Sequence, residues 1–311
     1  MTRRMFKEYL NPNFGYFYSI DESLFKTRTR FQELEIVQTR EFGKVMLLDG
    51  VTQVATKNDW LYHEVMVHPA LSSHPDPQSV CVIGAGDGGI VREVLLHGPS
   101  HVDHCELDGE VVDVCREHLP EVHGNCWDNP AVNLVIGDGR AAIEEGGDPY
   151  DVVIMDMTDP FGPSTMLYTA DFFKAIKSRF RDGNGSFVMH AESTISRPRA
   201  FQQIHRTLSS VFKQVTLFHI YIQMYSVLWT IAVASDHDRP ATISEEEIAA
   251  VLARRGIADL HAYTPATHYS MQAEFPFITK LREAADSVPV VTDAEPKFLD
   301  EIDLNINHID A

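Results

Sequence analysis

Val80-Cys-Val-Ile-Gly84-Ala-Gly86-Asp87-Gly88-Gly89 is an apolar run that enters a glycine turn, and Ile90 to His97 then carry helical spacing. Consecutive apolar side chains suit a strand buried on both faces, as in parallel sheets. Gly84, Gly86 and Gly89 satisfy G-x-G-x-x-G in the strand–turn–helix context that the pattern requires. A tight βα turn would need nothing more, and a dinucleotide site is the familiar functional alternative.

The alternation continues downstream. Strands are predicted at Ser79–Ile83, His101–Leu107, Val132–Ile136, Asp151–Met155 and Ser186–Ala191. Helices are predicted at Glu110–His118, from Arg140, at Ala170–Phe180 and at Arg199–Val211. Gln214–Ile222 and Val227–Ala234 lie close enough to form an antiparallel pair. Repeated βα units with short links imply an α/β fold with a doubly wound, mainly parallel sheet of Rossmann type. Upstream, Phe31–Val37, the turn Glu41–Lys44 and the Asp49-Gly50 hairpin signal between Val45–Leu48 and Val51–Ala55 indicate a small antiparallel β domain. The expected division is 1–57 for that domain and 58–311 for the catalytic domain. The latter starts with an apolar helix, Trp60–Leu71, and ends in two amphipathic helices after Ser244 and an acidic tail.

Composition narrows the function. A formal charge of −19 over 311 residues, with no basic stripe, argues against nucleic acid and suits cationic substrates. The most apolar stretch, Thr216–Ala234, is interrupted by His219, Gln223 and Ser226, so paired core strands are expected rather than a membrane span. Cys81, Cys105, Cys115 and Cys126 form no Cys-x-x-Cys pair and read as reduced, buried thiols of a cytoplasmic protein. No signal peptide follows Arg3 and Arg4. His97-x-x-x-His101 runs through Gly98-Pro99, so no helix face presents both rings and no metal site is expected.

Acids end three successive strands. Glu106 closes His104-Cys-Glu106, where a carboxylate can take both hydroxyls of a ribose. Asp138 closes Leu134-Val-Ile-Gly-Asp138-Gly139, where an acid can accept from an adenine amino group. Asp156 and Asp159 follow the strand in Tyr150-Asp-Val-Val-Ile-Met-Asp-Met-Thr-Asp-Pro-Phe-Gly-Pro163. Asp before Pro often merely caps a turn. Open α/β sheets bind ligands beyond the carboxyl ends of their strands, however, and two acids there suit a cationic ligand or a proton transfer. Asp87 inside the glycine turn would disfavour a pyrophosphate and favour an ammonium. That weighs against NAD and toward a sulfonium nucleoside with a cationic tail. A tail that also carried a carboxylate, as in S-adenosylmethionine, would be repelled.

With Gly84-Ala-Gly-Asp-Gly-Gly89, Glu106, Asp138-Gly139 and Asp156-Met-Thr-Asp159-Pro-x-Gly-Pro163 in order, the chain resembles the polyamine aminopropyltransferases, of which spermidine synthase is the best known. Asp49-Gly-Val-x-Gln53 and Asp59-x-x-Tyr62-His63-Glu64 also fall where that family has them. The resemblance covers residues 5 to about 285. It implies a methyltransferase-like sheet that binds decarboxylated S-adenosylmethionine as co-substrate and releases 5′-methylthioadenosine plus a longer polyamine, without metal or redox cofactor. It further implies that Gln53, Asp87, Glu106 and Asp138 hold the nucleoside, with Gly84, Gly86 and Gly139 in its turns. Tyr62, His63, Asp156 and Asp159 would face the amine, and a homodimer or homotetramer is expected.

Three departures fall in this pattern. Ala85 stands where the family usually has Gly. His190 replaces a Gln before Ala191-Glu192. Ile222-Gln-Met224-Tyr225 replaces an Ile-Pro-Thr-Tyr stretch, with Tyr225 and Met224 as the alternatives for the family's ring position. Val291-Thr-Asp-Ala-Glu-Pro296 resembles the tails of thermospermine- and agmatine-type members. Asp156 is expected as general base assisted by Tyr62, with Asp159 and Glu192 anchoring a diamine. Tyr62 as an ordinary interface aromatic and Glu192 as a surface acid are the plain alternatives, and His190 either bonds the acceptor or simply sits in its loop. Putrescine is the expected acceptor, with agmatine, cadaverine and spermidine as alternatives and methyl transfer as a remoter one.

Overall fold

The structure is a computed structural model that describes residues 4–160 and 162–299. Arg3 and the acidic tail beyond residue 299 lie outside it. Six strands precede residue 57: β1 (Arg4–Asn11), β2 (Phe14–Ile20), β3 (Glu22–Arg28), β4 (Glu33–Thr39), β5 (Gly43–Leu48) and β6 (Val51–Ala55). β1 and β2 form a separate hairpin, and β3 to β6 form an antiparallel meander in sequence order. Asp49 and Gly50 both take positive φ, 48° and 73°, as a two-residue hairpin turn of the primed type demands.

β7 (Ser79–Gly84), β8 (His101–Glu106), β9 (Val132–Ile136), β10 (Val152–Asp156), β11 (Ser186–Ser193), β12 (Gln214–Ile222) and β13 (Val227–Ser235) form one sheet in the order β12-β13-β11-β10-β7-β8-β9. The first five run parallel, β13 runs against them, and β12, antiparallel to β13, resumes their direction at the edge. β7 sits between β8 and β10, so successive connections leave it in opposite directions. That reversal opens a crevice at the carboxyl ends of β7 and β10.

Period-two alternation divides the core. Val80 and Val82 of β7, with Val152 and Ile154 of β10, face one cluster that continues through Val65 and Leu71 into Leu34, Ile36 and Met46 of the meander. Cys81, Ile83, Val153 and Met155 face the other, with Phe172, Phe173 and Phe201. The amino-terminal meander and the α/β sheet thus share one apolar cluster. Burying each such side chain contributes about 1.5–3 kcal/mol.

The helices are α1 (Trp60–Ser73), α2 (Gly89–Leu95), α3 (Gly109–His118), α4 (Pro120–His123), α5 (Gly139–Glu144), α6 (Ala170–Ser178), α7 (Pro198–Ser209), α8 (Arg239–Thr242), α9 (Glu245–Arg255), α10 (Pro265–Ser270) and α11 (Pro276–Glu283). Among the described residues after Ser244 there are three α-helices, not the two expected. The additional one, α10, is too short to show amphipathic spacing and is started by a Thr264–Thr267 capping box with Pro265 at its first position. All four cysteines are buried and free. Among the described residues no helix is long and apolar enough to cross a membrane, and no group of three or more His, Cys, Asp or Glu could hold a metal ion.

The segment around Asp293 folds back onto the sheet's carboxyl edge. Asp293 accepts from Arg140 of α5 through both carboxylate oxygens, at 3.0 and 2.5 Å, and from the Thr169 hydroxyl at 2.6 Å. Arg140 also donates to the Met166 carbonyl at 2.7 Å, just past the Asp159 loop.

Candidate active site

Gly84 and Asp156 are register partners on adjacent strands. Gly84 has φ of +79°, and a Cβ there would lie 2.0 Å from the Asp156 carbonyl oxygen, so only glycine lets the backbones approach. The Ala85 N–H donates to that carbonyl at 3.0 Å. Below the turn, Trp127 Nε1–H donates to His104 Nδ1 at 3.0 Å, which leaves His104 Nε2–H to donate to the Gly84 carbonyl at 2.7 Å. Burial lowers the His104 pKa to about 4, in keeping with this neutral tautomer.

The Asp59-x-x-Tyr62-His63-Glu64 motif lies at the start of α1 and points four ways. Asp59 does not cap the helix but accepts from Arg92 at 2.9 Å. Tyr62 donates its hydroxyl to Asp156 Oδ1 at 2.7 Å. His63 lies between Asp59, 3.4 Å away, and Asp87, 3.8 Å away. Burial pulls the His63 imidazole down, but the two carboxylates outweigh it and its pKa stands above the ordinary value. A Cβ on Gly89 would sit 2.1 Å from this ring, so the last glycine of the motif makes room for His63. Glu64 accepts from the backbone N–H groups of His261, Ala262 and Tyr263 at 2.7–2.9 Å and fixes that loop.

Asp87 accepts from the Gly89 N–H at 2.7 Å and is buried beside the opening. Burial, with the Asp87 charge adding to it, raises the Asp156 carboxyl to about 6, while the Tyr62 bond and His63 oppose the rise. Burial also pushes Glu106 up to about 7, against the Asp108 N–H that it accepts at 2.8 Å. Asp138 accepts from the Arg140 and Ala141 N–H groups and caps α5. Gly139 packs on Ile83. Leu107 and Ile136, at the ends of adjacent strands and 46% and 52% exposed, present apolar surface beside Glu106. Neither is marked in the sequence, because apolar residues at strand ends look like core.

The far wall of the crevice is assembled from segments distant in sequence. Tyr225, not Met224, lies against Tyr62, with ring centroids 6.2 Å apart and edge-on, and Met224 is buried in the core. Tyr225 sits at the end of a 3-10 turn, Gln223–Tyr225, closed by Ser226 at φ of 55°. The Tyr225 hydroxyl donates to the Gln53 carbonyl at 2.7 Å, so Gln53 contributes its backbone here while its side chain turns to the Val51 carbonyl. His190 Nε2 bonds the Met157 carbonyl at 3.0 Å and the Tyr168 hydroxyl at 2.8 Å, and Tyr168 donates to the Thr158 carbonyl. His190 is therefore a strut under the Asp156–Asp159 loop, and burial lowers its pKa.

Glu192 is fully buried rather than a surface acid. Arg197 Nη1 donates to Glu192 at 3.0 Å and to Asp159, and Arg197 Nε donates to the Leu10 carbonyl at 3.2 Å. Burial raises the Glu192 carboxyl while Arg197 holds it back. Glu8 of β1 is a further buried acid, pushed up to about 7 by burial although it accepts from the Thr52 N–H at 2.8 Å. Phe6, Glu8 and Leu10 alternate on the inward face of β1, so an acid at a core position was the available signal for Glu8. Arg197 gave no such signal.

The crevice therefore has two ends, one lined by Glu106 and Asp138 and the other by Asp156, Asp159 and Tyr225, with Asp87 between them. A family model described as the spermine/spermidine synthase domain matches residues 59–245, and one described as the spermidine synthase tetramerisation domain matches 5–56. A polyamine aminopropyltransferase of Nitrosomonas europaea is 35% identical over 299 residues, spanning 96% of this chain and 90% of its own. The chain belongs to the polyamine aminopropyltransferases.

Another polyamine aminopropyltransferase, from Hyperthermus butylicus, is 37% identical over 275 residues, 87% of this chain and 89% of its own. The crystal structure of spermidine synthase from Thermotoga maritima superposes with a TM-score of 0.82 at 27% identity, covering 90% of this chain and 94% of that one. A spermidine synthase in complex with the transition state analogue AdoDATO superposes with a TM-score of 0.81 at 26% identity, with the same coverage. The resemblance of the sequence motifs to this aminopropyltransferase family is thus matched over nearly the whole chain, as is the expected fold class.

Proposed function

We propose that this aminopropyltransferase moves the aminopropyl group of decarboxylated S-adenosylmethionine to putrescine, giving spermidine and 5′-methylthioadenosine. The observation that carries the reading is the Tyr62–Asp156 pair, a half-buried carboxyl that desolvation raises to about 6 with the Asp87 charge adding to the rise. In the reaction the acceptor nitrogen's lone pair forms a C–N bond to the methylene carbon beside the sulfonium. The C–S bond breaks, its electrons neutralise sulfur, and the ammonium proton passes to Asp156. An alkylammonium with pKa near 10 is only about 0.1% neutral at pH 7, a penalty of roughly 4 kcal/mol that an adjacent carboxylate offsets. Alignment of the two substrates contributes several kcal/mol more, on the order of 7 for a well-oriented pair.

In this reading Glu106 holds the ribose, Asp138 the adenine amino group, and Leu107 and Ile136 the faces of the base. Gln53 and the turns at Gly84, Gly86 and Gly139 complete the nucleoside end. Asp87, with His63 behind it, takes the aminopropyl ammonium. Asp159 holds the distal ammonium of the acceptor beside Tyr225 and Glu192, and His190 supports the loop from behind. Residues 1–57 serve assembly into a homodimer or homotetramer, with Met5, Phe14 and Phe17 exposed on the β1–β2 hairpin, and 58–311 serve catalysis in the cytoplasm.

Incubation with decarboxylated S-adenosylmethionine and putrescine, agmatine, cadaverine or spermidine, with products weighed by mass spectrometry, tests the reading. Methylthioadenosine with spermidine as co-product from putrescine is the expected result. Methylated amine from S-adenosylmethionine would overturn it.

A further inference from the structure

We infer that Arg197 makes the acceptor site selective for a diamine over a triamine, by occupying carboxylate edges that a second ammonium would need. The inference rests on the proposed aminopropyl transfer and names the acceptor class for it.

Arg197 precedes α7 and is almost completely buried. Its guanidinium touches three separate parts of the chain: the Leu10 carbonyl at the end of β1, Asp159 after β10, and Glu192 near the end of β11. Glu192 has φ of +65°, an unfavourable backbone for a non-glycine residue. The strand pairing slips between His190 and Ser193, at the same place. The backbone is thus distorted where the Glu192 carboxylate meets the guanidinium.

Charge counting gives the consequence. Asp159 and Glu192 supply two acids and Arg197 one permanent cation, so the trio carries at most one net negative charge. A diamine whose attacking nitrogen is neutral has one ammonium left, which matches. A triamine has two, and the second would find the remaining carboxylate edge already bonded to Arg197. Glu8 is left out of the trio because its carboxylate is engaged elsewhere, by the Thr52 N–H at 2.8 Å. Nor can Arg197 give up its proton to adapt, as a lysine could.

The test compares putrescine and spermidine as acceptors with saturating decarboxylated S-adenosylmethionine, reading methylthioadenosine release. Wild-type enzyme is expected to favour putrescine at least ten-fold in kcat/KM. In Arg197→Met the trio gains a charge, and the spermidine-to-putrescine ratio should rise at least ten-fold, mainly through a lower KM for spermidine. Arg197→Met with Glu192→Gln returns the trio to one negative charge and leaves no buried acid without its guanidinium, so its ratio should fall back toward wild type. An unchanged ratio in Arg197→Met overturns the inference. If that variant has no cooperative melting transition, the double variant decides: retained diamine preference supports charge matching, and lost preference overturns it. Wild-type enzyme that favours spermidine overturns it as well. No methylthioadenosine from any amine would instead defeat the aminopropyl-transfer reading itself.

Discussion

Asp156 Oδ1 receives the Tyr62 hydroxyl at 2.7 Å, so the proposed base is held by a neutral donor and not by a cation. An arginine there would keep the carboxyl ionised and poor at taking a proton, whereas a phenol steadies the carboxylate and leaves it basic. Asp156→Asn should therefore lower turnover about 10²-fold or more. Methylthioadenosine affinity, measured by calorimetry, should stay within a few-fold. Turnover near normal would remove Asp156 as the base.

The pKa of Asp156 gives a second expectation. Infrared difference titration of wild type against Asp156→Asn should show a carboxyl with a midpoint near 6. The Tyr62 bond stabilises the ionised form, so Tyr62→Phe should move that midpoint upward. A midpoint in the ordinary aspartate range would contradict the desolvated environment.

Glu106 provides a stability test with a definite sign. Its carboxyl is raised by burial to about 7 from 4.5, so the folded protein binds more protons than the unfolded chain between those values. Its contribution to stability is largest at low pH and is lost as pH rises through 7. Glu106→Gln removes this penalty. The variant's advantage over wild type should grow between pH 5 and 8 by on the order of 2–3 kcal/mol, followed by thermal melting. Its affinity for methylthioadenosine should fall, because Gln cannot accept from both ribose hydroxyls.

Asp87 should discriminate between sulfonium nucleosides through charge alone. Its replacement by Ala should narrow the ratio of decarboxylated S-adenosylmethionine to S-adenosylmethionine binding by about ten-fold or more. Calorimetric ratios that do not move would sink the role.

Ala85 occupies a left-handed position at φ of 59°, which disfavours any residue with a Cβ. Ala85→Gly relieves that strain, while the added freedom of glycine in the unfolded chain offsets part of the gain. The net expectation is a stabilisation of roughly 0.5–1 kcal/mol, visible as a higher Tm. A lower Tm would mean that the Ala85 methyl, which is buried, packs better than it strains.

The end of the crevice with Glu106 and Asp138 is legible because each acid is local to a strand end, and strand ends are readable from apolar runs and glycine turns. Asp156, at the other end, follows the same rule. The far wall is not legible, because it is assembled from segments distant in sequence. Arg197 meets Leu10, 187 positions earlier, and Asp159, 38 positions earlier. No periodicity reports such a meeting. His190 read as equally suited to ligand or loop, and only the Met157 carbonyl and Tyr168 hydroxyl decide that it braces the loop. Tyr225 required a 3-10 turn whose closing residue, Ser226, is not a usual choice for positive φ.

Asp293, which grips Arg140 and Thr169 together, gives the molecule a chronology. The sheet, the glycine turn and the paired acids are all synthesised before residue 240, yet the helix behind Asp138 and the segment beyond Asp159 are fastened by a carboxylate near the described end. On the ribosome, a chain that has not yet delivered residue 293 would hold a folded sheet whose crevice is still unfastened on this side.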